Sequence, residues 1–122
     1  MRTLAPAEAE RMSSHEVVRW LNDVLGPTIV QALVGERSRD AVLAWQYEYG
    51  PEPSSEQLEG LKVALQAMFE IAEAEDPRVA RAWFMGANPR FAPYTPTTAI
   101  REGRFDEVLA ASRAIVEDQP IS

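Results

Sequence analysis

The stretch Trp83–Leu109, WFMGANPRFAPYTPTTAIREGRFDEVL, decides how this chain is read. Asn88-Pro89 and Pro93 forbid one continuous helix through it, because each Pro lacks an N–H and pushes the preceding residue out of the helical region. Thr95-Pro96 has the form of an N-cap followed by Pro at the first helical position. Gly103 supplies the left-handed residue that closes a short helix after Arg101-Glu102. Phe105, Val108, Leu109 and Ile115-Val116 then recur at helical spacing. The order is therefore helix end, Pro-rich turn, short helix, Gly stop and last helix.

Working outward toward the N-terminus, each segment carries a start signal. Ser13 with Glu16 makes a capping box before Val17, Val18, Leu21, Val24 and Leu25, one face of a helix that Gly26-Pro27 stops. Thr28 is read as the cap of a shorter helix bearing Ile29, Val30, Leu33 and Val34. Ser38 caps a third, with Val42, Trp45 and Tyr49 inward and Gly50-Pro51 at its end. Ser54 with Gln57 opens a helix of about twenty residues. Its apolar positions are Leu58, Leu61, Leu65, Met68 and Ala72, widened by Val63, Phe69 and Ile71. Phe69 and Ile71 are read as core, with a dimer contact as the alternative. Asp76-Pro77 caps a further helix through Val79, Ala80, Trp83 and Phe84. Residues 1–12 are read as an arm or short helix. No segment alternates as a strand does, so the expected fold is all-α: an N-terminal helix-turn-helix-like part (1–53), a long connecting helix (54–76) and a compact C-terminal helical part (77–122).

Composition narrows the function. Twelve Lys and Arg face nineteen Asp and Glu in 122 residues, a net charge of −7 that opposes phosphate and favours a basic protein partner. Cysteine is absent, which removes disulfides, thiolate chemistry and Cys-based metal sites. No apolar run approaches a membrane span and residues 1–15 do not read as a signal peptide, so a cytoplasmic protein without a membrane is expected. His15, the single histidine, is read as a solvated residue at a helix start. The run Glu70, Glu73, Glu75 and Asp76 is read as a solvated face rather than a cation site. No Ser or Thr sits in a motif that activates it, and phosphate loops are missing, so no catalytic residue, metal or cofactor is assigned.

Two helices joined by a short turn at Gly35-Glu36-Arg37 suggest a helix-turn-helix. The exposed positions of its second helix are Ser38, Arg39, Asp40, Leu43 and Ala44. Asp40 repels phosphate, and Leu43-Ala44 offer no donors to base edges. Arg37, Ser38 and Arg39 are the DNA-contact candidates, with binding expected to be weak or dependent on a complex.

The opening stretch also resembles the toxin-binding domain of Xre/MbcA/ParS-type antitoxins, partners of RES-domain toxins. The resemblance rests on Trp83, Asn88-Pro89, Phe91, Thr95-Pro96, Arg101-Glu102-Gly103 and Phe105-Asp106-Glu107-Val108-Leu109. The family usually has a Gly pair where this chain has Ala92-Pro93-Tyr94. It implies a type II antitoxin, commonly a homodimer, that covers the active site of a RES-domain toxin acting on NAD. Arg90, Arg104 and Phe105, with Phe91 between them, suit a protein interface, since Arg and aromatics dominate binding hot spots. The expected toxin-binding set is Asn88, Pro89, Arg90, Phe91, Arg101, Arg104 and Phe105, joined by Glu117 and Asp118 of the tail. A DNA-binding repressor without a toxin and a stand-alone helical adaptor are the alternatives.

Overall fold

The computed structural model describes residues 11–86 and 95–117, apart from the Val116 side chain. Among the described residues there are helices and no strands. The helices are α1 (Ser14–Val24), α2 (Pro27–Val34), α3 (Arg39–Ala44), α4 (Ser55–Ala74), α5 (Pro77–Met85), α6 (Pro96–Arg101) and α7 (Phe105–Glu117).

The starts follow local chemistry. Both capping boxes form: Ser13 Oγ accepts from Glu16 N–H, and Ser54 Oγ accepts from Gln57 N–H, while each partner side chain accepts from the cap's own N–H. Ser38, Asp76 and Thr95 also cap with their side chains. These bonds occupy N–H groups that a helix start leaves without partners. The second helix departs from expectation. Its cap is Gly26, at φ 91, with Pro27 at the first helical position, so Thr28 lies inside the helix. Pro27 pre-sets the helical φ and needs no donor, which lets the turn begin a residue early.

The core gathers along α4, which packs against α1, α2, α5, α6 and most extensively α7. Leu61, Ala64, Leu65, Met68 and Ile71 on α4 are buried with Val17, Val18 and Leu21 of α1, Phe84 of α5 and Val108 of α7. Phe69 is 4% exposed and meets Trp20 edge-on at 5.2 Å, so both it and Ile71 belong to the core. The stripe of α7 docks in part: Val108 and Ala111 are buried, Phe105 and Ile115 pack at their margin, and Leu109 is only half-buried. Ser112 Oγ, fully buried, donates to Glu70 Oε2 at 2.8 Å and fastens α7 to α4.

Two further expectations are corrected. The third helix ends at Ala44, with Trp45 as its C-cap, and Tyr49 is 97% exposed rather than inward. Once Trp45 has filled the core, the turns through Gly50 carry Tyr49 back to solvent. Val79 is exposed as well, because Ala80 and Phe84 define the buried face of α5. His15 is buried, not solvated: its Nδ1 lies 2.8 Å from the Trp45 carbonyl, and Nε2 lies 3.6 Å from Glu52 Oε1. A buried imidazole needs a partner, and the chain following α3 provides one. No described helix is long and apolar enough to cross a membrane.

Candidate functional site

The turn between α6 and α7 forms as its residues imply. Thr95 Oγ1 accepts from Thr98 N–H, Pro96 follows, and Glu102 is the C-cap. Gly103 then takes φ 79, letting its N–H reach the Ile100 carbonyl and Arg104 N–H reach that of Ala99, both at 2.9 Å. A side chain is strained at such a φ, which is why glycine fits there. On the far side of the gap, Phe84 lies in the last turn of α5, its carbonyl accepting from Thr97 Oγ1 at 2.6 Å.

This turn closes one wall of a groove of about 360 Å³, whose other walls are the end of α2 and the first turns of α4. Leu33, Gly60 and Ile100 lie buried beneath it, Val34 and Phe105 are its half-buried apolar members, and Glu56, Gln57, Glu59, Glu102 and Arg101 make the rest of its lining polar. Gly60 allows α4 and α6 to approach closely, since a Cβ there would stand 3.3 Å from Ile100 Cγ2. Gln57 Nε2 donates to Glu36 Oε2 at 3.3 Å and ties α4 to the turn after α2.

Of the expected interface residues, Arg101 and Phe105 meet at this groove. Arg101 is exposed at its charged end, while its aliphatic stem lies 3.4 Å from where a Cβ on Gly35 would stand. Phe105 is half-buried, its ring against Gly60. Arg104 is engaged within the chain: Nη2 meets Glu107 Oε2 at 2.6 Å, and Nη1 lies 3.7 Å from Glu102. The hydrogen bond to Glu107 raises the Arg104 pKa above its ordinary value, keeping the group charged. Glu117 is exposed at the end of α7. Asn88, Pro89, Arg90, Phe91 and Asp118 lie outside the described residues, as do residues 1–10.

Glu56, Glu59 and Gly60 were not among the sequence candidates. A glycine within an otherwise regular apolar stripe is the available signal, because it marks close approach of a neighbour. The DNA-contact candidates Arg37, Ser38 and Arg39 are exposed, but Ser38 Oγ is used in capping Ala41 N–H at 3.2 Å. Among the described residues no cluster of His, Asp and Glu has the geometry to hold a metal ion. Of the acidic run, Glu70 is committed to Ser112, with Arg113 Nε 3.8 Å away.

No family model matches this chain, and no curated protein and no solved structure matches it.

Proposed function

We propose that this protein acts by binding another protein, as the antitoxin of a RES-domain toxin, and silences that toxin by covering its active site against NAD. The observation that carries the reading is the groove at the α6–α7 turn, which Arg101 and Phe105 both line. Arg and aromatic side chains are the residue types enriched at interface centres. The same turn, from Thr95-Pro96 through Gly103 to Val108, contains most of the residues on which the antitoxin resemblance rests. The N-terminal helices α1–α3 take the role of a reduced helix-turn-helix, α4 that of the connecting helix, and α5–α7 that of the toxin-binding part. DNA binding is secondary, because Asp40 and Leu43 occupy exposed positions of α3 where a reader of bases needs donors.

Co-expression with a RES-domain toxin, followed by pull-down and an NAD-turnover assay, tests the proposal. Arg101→Ala and Phe105→Ala are expected to weaken the complex by about 2 kcal/mol each, the scale of an interface anchor, with unchanged circular dichroism. Equal toxin binding and inhibition by both variants removes this surface from the interface. Absence of any complex with the wild-type chain removes the antitoxin reading itself.

A further inference from the structure

The chain that follows α3 carries a second surface. Gly50 N–H donates to the Tyr47 carbonyl at 2.9 Å, closing a turn with Glu48 and Tyr49 at its tip. Gly50 also sits hard against α3, since a Cβ there would stand 2.7 Å from the Ala44 carbonyl. The base of the turn is fastened from α1: His15 Nδ1 lies 2.8 Å from the Trp45 carbonyl, and Arg19 Nη2 donates to that of Gln46 at 2.8 Å. On the far side Pro53 is buried, and Ser14 Oγ donates to Glu52 Oε1 at 2.9 Å. A turn held at so many points still shows its aromatic rings to water. Tyr47 is 67% exposed and Tyr49 97%, with Leu43 beside them in sequence, exposed on the last turn of α3. The charge here has one sign, because residues 40–61 contain Asp40, Glu48, Glu52, Glu56 and Glu59 and no Lys or Arg. Among the described residues no cation pairs with Glu48.

We propose that this turn is a docking surface for an arginine-bearing segment of another protein, whose guanidinium groups stack on Tyr47 and Tyr49 and pair with Glu48 and Glu52. Charge selects the occupant. An acidic run with no basic residue inside it opposes any phosphate-bearing partner and attracts a cationic one. The tyrosines narrow the choice further, because an aromatic face draws a cation and a planar guanidinium stacks on it better than an ammonium does. Arginine also meets a carboxylate through two parallel hydrogen bonds, which the exposed Glu48 can accept. The bracing from α1 matters as well: a turn ordered before contact loses little conformational freedom on binding. The turn shares no residue with the α6–α7 groove, so the proposal does not rest on the antitoxin reading.

NMR titration of the full chain at near-physiological salt tests it, with an oligo-arginine peptide, an oligo-lysine peptide of the same length and a DNA duplex as probes. Shifts from the arginine peptide are expected to centre on residues 43–52, with the lysine peptide binding more weakly and the duplex leaving the turn unmoved. Tyr47→Ser/Tyr49→Ser keeps the net charge and removes only exposed rings, so the fold should persist while affinity falls by about tenfold. Glu48→Gln should also weaken binding and flatten its dependence on salt. Equal affinity in the double tyrosine variant overturns the proposal, as do shifts spread evenly over the acidic faces of the molecule or no shift at the turn. So does a duplex that displaces the peptide. Movement of the same signals with protein concentration alone would name a second copy as the occupant and overturn it too.

Discussion

Thr97 and Phe84 are joined across the break between α5 and α6: the threonine hydroxyl donates to the phenylalanine carbonyl at 2.6 Å, and both residues are buried. That carbonyl lies in the last turn of α5, where the helix has no further N–H to offer it. Thr97→Val keeps the shape and deletes the donor. The expected loss is about 1–3 kcal/mol, the cost of leaving a buried carbonyl unsatisfied. Urea unfolding measures it, and an unchanged midpoint would show that the bond contributes nothing net.

Asp76 begins α5 and predicts an acid response. The hydrogen bond from the Arg78 side chain, aided by Arg78 N–H, holds the Asp76 carboxyl below its ordinary value of 3.8. A depressed folded-state pKa means that the contribution to stability is complete above the ordinary value. It is then lost as pH falls through the lower folded-state value. Carboxyl-carbon NMR should place the Asp76 titration below 3.8. In Arg78→Gln it should move back toward that value. A titration unaffected by the substitution would rule out Arg78 as the principal cause.

Gly103 holds φ 79 with no heavy atom within 4 Å of a would-be Cβ, so a substitution there meets strain but no collision. Gly103→Ala should cost about 1–2 kcal/mol, the penalty of a side chain in left-handed backbone. Gly103→Asn should cost less, because Asn tolerates that region. Thermal unfolding of the two variants orders them, and an alanine variant as stable as wild type would refute the strain.

The tail offers a separation of binding from inhibition. Deleting residues 117–122 removes the exposed Glu117 and nothing from the described core. The fold should survive, and under the proposed antitoxin function, with cover coming from the α6–α7 surface, the truncated chain should bind toxin and stop NAD turnover. If binding persists while turnover resumes, blockade belongs instead to Glu117 and Asp118, whose carboxylates suit the Arg residues of a phosphate-binding pocket.

Helix starts were legible because capping is settled within four residues: Ser13 with Glu16, Ser54 with Gln57, and Thr95 with Thr98 each form the bond their spacing suggests. What escaped was decided by distant residues. His15 is buried because the Trp45 carbonyl comes to it across 30 positions, which no local pattern encodes. Tyr49 looks like a core residue in its own window, yet Trp45 fills the space available. The candidate site divides the same way. Arg101 and Phe105 stand out by type and spacing, while Glu56 and Glu59 reach the groove only because Gly60 draws α4 against Ile100.

Helix α2 packs against α6, and the stem of Arg101 lies over Gly35 at the end of α2. During synthesis the N-terminal three helices therefore leave the ribosome before the surface that completes them exists. The part of α2 that meets α6 waits, uncovered, until α6 has been made. Loop closure over that distance must precede the contacts that reward it, which slows the final step relative to helix formation. A substitution in α6 will thus show its effect early in the life of the molecule, as exposed α2 surface open to aggregation or proteolysis in the nascent chain, even where the finished fold tolerates it.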